Sequence, residues 1–80
     1  MTKWALLNNG FMLTQSTVLA ERVVRERGEV KAQVARAYEL VLGRPPSAAT
    51  LERLVVFTRE QGLPATCRAL FNLNEFAFVD

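Results

Sequence analysis

Histidine is absent from this chain and cysteine occurs once, at Cys67. The sequence therefore offers no imidazole base, no internal disulfide and no cysteine–histidine set of the spacing that holds zinc. Long apolar runs are missing too. The longest are a few residues, too short to span a bilayer, and the Met1-Thr2-Lys3-Trp4 start lacks the hydrophobic stretch of a signal peptide. Nor is there an excess of one charge. The net charge is +2, and eight of the ten basic residues are arginines interspersed with acids, a pattern of solubility more than of a nucleic-acid stripe. Glycine and proline are scarce, at four and three residues, and fall where apolar patterns break.

What is present is apolar. Half of the 80 residues are hydrophobic and 22% are charged, a balance that drives a chain to collapse into one packed domain. The arrangement predicts an all-α fold: a compact bundle of four helices with a short N-terminal apolar segment and an aromatic C-terminal tail.

The organising stretch is Tyr38-Glu39-Leu40-Val41-Leu42-Gly43-Arg44-Pro45-Pro46, where a helical pattern runs into a stop. Gly43 suits the left-handed closure of a helix, Arg44 before a proline is extended, and Pro45 and Pro46 lack backbone donors. These four residues form the expected structural corner. Before it, Phe11 to Arg27 places Met12, Leu13, Ser16, Leu19, Ala20, Val23 and Val24 on one face, and Thr14, Gln15, Glu21, Arg22, Arg25 and Glu26 on the other. Glu21 with Arg25 and Arg22 with Glu26 stand at ion-pair spacing. Gly28 is expected to end that helix.

A second helix is expected from about Glu29 to Leu42, with a stripe of Val30, Val34, Ala37, Tyr38 and Val41 broadened by Leu40 and Leu42. So wide a stripe predicts that this helix is the central one. Ser47 is the expected N-cap of a third, whose core side is Leu51, Leu54, Val55 and Thr58 and which Gly62 stops. Pro64 suits the first position of a fourth, with Leu63, Cys67, Leu70 and Phe71 on one face. Asn72-Leu73-Asn74 reads as a helix exit, followed by either one more turn or an extended tail. Phe76 and Phe78 are expected to return as an aromatic plug of the core.

Three stretches carry a resemblance: Leu6-Leu7-Asn8-Asn9-Gly10-Phe11, then Ala37-Tyr38 with Leu42-Gly43-Arg44-Pro45-Pro46, then Ala69-Leu70-Phe71-Asn72-Leu73-Asn74-Glu75-Phe76. In their order and spacing the chain resembles the C-terminal part of the planctomycete family called domain of unknown function fifteen-fifty-three. The resemblance implies a helical end-piece of large, mostly exported proteins that often also carry a cytochrome c-like domain. It brings no activity, no cofactor and no catalytic residue. This sequence departs from the family in having Gly10 where proline is frequent and Ala48-Ala49-Thr50 where acids are common. The Leu-Gly-Arg-Pro segment with its following helix is also similar to a second helical family of unknown function, from bacterial surface and matrix proteins.

The functional expectation is a non-catalytic structural or protein-interaction module, the C-terminal end of a longer exported protein spanning residues 1–80 as one helical domain. Its partner is then the remainder of that protein or another protein. Apolar residues at an end or among polar neighbours mark the candidate surface: Trp4, Leu6, Leu7, Val18 and Val56. The alternative is a weak nucleic-acid-binding helical domain built on Arg22, Arg25, Arg27, Arg36, Arg53 and Arg59, but Glu21, Glu26, Glu29, Glu52 and Glu60 lie among them. A helix-turn-helix reading of the second and third helices meets a long, proline-rich connection and a helix that opens on alanines. Arg44 is read as a structural cation past a helix end, capping carbonyls or pairing with Glu39 or Glu60, and Cys67 as a small buried hydrophobe. Glu39, Glu52 and Glu60 sit on polar faces with no second group placed for acid–base work.

Overall fold

A helix forms wherever the apolar period persists, and the computed structural model contains four of them among its described residues: the backbone of 10–79 and the side chains of 13–73. They are α1 (Gly10–Glu26), α2 (Val30–Leu42), α3 (Ala48–Gln61) and α4 (Leu63–Val79). No strand occurs among the described residues. α2 and α4 each pack against all three other helices, whereas α1 and α3 make little contact with each other. The central position is thus shared. The broad stripe of α2 has its counterpart in α4, whose Thr66, Cys67 and Leu70 are all fully buried.

The core joins Leu19, Ala20 and Val23 of α1 to Ala37 of α2 and to Cys67 and Leu70 of α4. Val34 is equally buried, and Leu54, Leu63 and Phe71 pack around the cluster. The expected stripe of α1 is narrower than its apolar residues suggest. Ser16, Leu19, Ala20 and Val23 are buried, but Leu13 and Val24 are half-exposed. Both stand at the edge of the stripe, and Val24 lines an open groove with Leu63 and Pro64 of α4.

Helix ends follow local chemistry. Gly43 adopts φ 80 and ψ 8, and its N–H donates to the Glu39 carbonyl, so α2 closes through a left-handed residue. A Cβ added there meets nothing within 4 Å, so Gly43→Ala carries a conformational penalty without a clash. The expected loss is about 1 kcal/mol, read as a lower thermal midpoint; an unchanged midpoint would mean the closure tolerates a side chain. Ser47 caps α3 by accepting from the Thr50 N–H at 3.2 Å. Gly62, at φ 98 and ψ 156, is the only residue between α3 and α4, in a region that side chains rarely reach.

Three end-points differ from the sequence reading. α1 stops at Glu26, one residue short of the expected Arg27, in the break that holds Gly28; that glycine is not a left-handed closure, since among the described residues only Gly43 and Gly62 have positive φ. Polar side chains serve that end instead: Arg27 donates to the Glu26 carbonyl at 3.1 Å and Gln33 to the Arg27 carbonyl at 3.0 Å. α4 starts at Leu63, so Pro64 is its second residue, still in the first turn where a missing N–H is harmless. Asn72-Leu73-Asn74 is not an exit, because the helix runs through it to Val79. Asparagine only weakly disfavours helix, so these two residues do not by themselves end it. The side chains of Phe76 and Phe78 lie outside the described residues, as do Trp4, Leu6 and Leu7 in full.

Candidate functional site

Four places on the described surface were candidates for chemistry. The first is a polar network bridging α1 and α2. Arg22 Nε meets Glu26 Oε2 at 2.9 Å along α1, Arg36 Nε reaches Glu26 Oε1 at 2.8 Å from α2, and Arg36 Nη1 meets Glu39 Oε1 at 3.0 Å. Glu26 is the hinge of this network, accepting from both helices. The hydrogen bond from Arg36, then that from Arg22, hold its carboxyl down to about 2, and the Arg36 guanidinium is correspondingly pushed up.

The sign of the resulting pH dependence follows. The folded chain holds Glu26 ionised below its ordinary value of 4.5, so on acidification the unfolded chain takes up the proton first. The network's contribution is complete above about 4.5 and is lost as pH falls toward about 2. An acid titration of the thermal midpoint should show this fall, and Glu26→Gln should flatten it. An equal fall in both proteins would assign acid sensitivity elsewhere.

The second place is the corner. A cavity of about 270 Å³ is lined by Arg27, Ala32, Ala35, Arg36, Glu39, Pro45 and Pro46. Arg44 is exposed there and makes no ion pair among the described residues; Glu39, one of its expected partners, is held by Arg36 instead. The cavity combines two arginines, both already engaged, with a carboxylate, so no single charge sign dominates it.

The third is Cys67, fully buried, whose thiol burial pushes up to about 11. At neutral pH such a thiol stays protonated and acts as a small hydrophobe. Beside it, Thr58 of α3 and Thr66 of α4 are buried and share a hydroxyl–hydroxyl bond. Thr58 donates to the Leu54 carbonyl at 2.7 Å, so its proton is committed and Thr66 is the donor between the two. The Gly62 corner makes this pairing possible by folding α4 back on the last turns of α3.

The fourth is apolar. An open groove of about 420 Å³ runs between the end of α1 and the start of α4, with Ala20, Val24, Leu63 and Pro64 along it and Glu21 and Arg25 at its edge. A smaller depression of about 250 Å³ holds Val55 and Val56 with Lys31, Glu52 and Arg59. Val18 is 52% exposed and Val56 55%, and they stand on different helices. The groove residues were not singled out from sequence, because Val24 reads there as core.

Among the described residues no group of three histidine, cysteine, aspartate or glutamate side chains is placed to hold a metal ion. No helix among them is long and apolar enough to cross a membrane. Comparison with protein-family models, with curated proteins and with solved structures found no match for this chain.

Proposed function

We propose that this domain is a non-catalytic structural or protein-interaction module of a larger exported protein. The observation that carries the reading is the division of the described surface: apolar residues stand half-exposed at Leu13, Val18, Val24, Val56 and Leu73 around a core that is otherwise closed. A partner surface needs such residues, because they release water on contact. Membership of the planctomycete family, and with it export, is likewise a proposal. What supports it is the order and spacing of the three stretches ending at Phe11, Pro46 and Phe76.

The nucleic-acid reading loses ground to electrostatics. Arg22 and Arg36 are engaged by Glu26 and Glu39, which removes two cations from any phosphate-facing set. A photo-reactive residue placed at position 18 or 56, in the protein in its own cell, separates the readings. Cross-links to protein, either the remainder of the parent or another chain, are expected. Recovery of nucleic acid would overturn the proposal, and silence from both positions would remove them from the partner surface.

A further inference from the structure

The groove between α1 and α4 differs from the other depressions in its edge. Glu21 and Arg25 stand one turn apart on α1, both exposed, and the ion pair their spacing allows is not made. Arg22 and Glu26, at the same spacing on the same helix, do pair. At 100° per residue Val18, Glu21 and Arg25 share one outward face, and Val24 flanks it on the α4 side. The face thus carries one free acid, one free base and an apolar flank that no other helix among the described residues fully covers.

We propose that this face docks a second copy of the chain, α1 against α1, about a two-fold axis midway between Glu21 and Arg25. A two-fold contact must be self-complementary, each residue meeting on the partner what the partner's residue meets on it. This face satisfies that rule. Antiparallel pairing sets Glu21 against Arg25 of the second copy and Arg25 against its Glu21, making two equivalent ion pairs. The same operation keeps the α4 flanks on one side, so the two Val24 side chains meet and the two grooves merge over Leu63 and Pro64. Val18 then falls at the level of Gly28 of the second copy, where no atom stands within 4 Å of a would-be Cβ. A parallel pairing would leave acid beside acid and base beside base.

With two ion pairs and one valine pair the contact is small, so association is expected to be weak and to depend on concentration and salt. This inference rests on the interaction-module reading and names one partner for it.

Sedimentation equilibrium of the full chain at low ionic strength tests it. The mass of the wild type should rise from 9.0 kDa toward twice that value with concentration, and fall back at high salt. Glu21→Arg alone and Arg25→Glu alone should each weaken association at least tenfold. An equimolar mixture of the two should restore it, because one then presents two bases and the other two acids. Circular dichroism checks that each variant is folded, and Glu21→Gln with Arg25→Gln repeat the weakening should a reversal disturb α1. A wild type that stays monomeric at every concentration overturns the proposal. So does a dimer indifferent to both reversals, or a mixture no tighter than its components. None of these results bears on the cross-linking at position 56, which tests the broader reading separately.

Discussion

Leu70→Ala is expected to remove about 2.7–5 kcal/mol of folding stability, by analogy with buried leucines truncated in other cores. Among the described residues Leu70 is the largest fully buried side chain, and it belongs to the cluster that joins α1, α2 and α4. Its loss leaves a void where three helices meet, and none of them can move in without leaving the others. For a domain of this size each kcal/mol shifts the midpoint by roughly 4–8 °C, so the melt should move by well over ten degrees or vanish. Val56→Ala, changing a side chain of the same apolar class at 55% exposure, is the control and should leave the midpoint within about 0.5 kcal/mol of wild type. Equal effects at the two positions would mean that α4 does not hold the core.

The buried threonine pair has the next largest expected effect. Thr58→Val removes the acceptor of the Thr66 hydroxyl, whose remaining partner is the Gly62 carbonyl at 3.4 Å. A buried hydroxyl without a good partner typically costs about 1–3 kcal/mol. Replacing both threonines by valine, by contrast, leaves no orphaned group and nearly the same shape. The double variant should therefore be more stable than Thr58→Val alone, a coupling that urea midpoints of the four proteins would measure. Strict additivity would show that the two hydroxyls do not depend on each other.

Much of the bundle is legible in the chain, and what escapes has a common cause. Periodicity places Ser16, Leu19, Ala20 and Val23 on the buried side of α1, and Val34 and Ala37 on that of α2, as they are found. Gly43 and Ser47 follow from local chemistry alone, since a left-handed residue and a hydroxyl cap act on their own neighbours. Features made by two helices are another matter. The bond between Arg36 and Glu26 spans ten residues and two helices, so counting four along one helix finds only Arg22. Likewise the Thr58–Thr66 bond joins two helices and exists only because the Gly62 corner brings them together.

The same distinction explains Val24 and Asn72. Val24 has the right angle to be core but stays half-exposed beside the open groove at the start of α4, and where an adjacent helix begins is not written in the helix being read. Asn72 and Asn74 carry turn chemistry, but asparagine disfavours helix only weakly and the helix continues through both. For the surface the limit is sharper. Val18 and Val56 are identifiable as apolar residues among polar ones, and both are exposed, but the groove depends on where α4 begins relative to the end of α1.

The central functional claim is that the arginines of this domain serve its own surface and not a phosphate backbone. Titration with duplex DNA at physiological ionic strength, followed by anisotropy, tests it most directly. The account predicts binding no tighter than the roughly 10⁻⁴–10⁻⁶ M of non-specific contacts. A sub-micromolar dissociation constant that weakens steeply with added salt would contradict it, because that dependence requires several cations free to displace counterions.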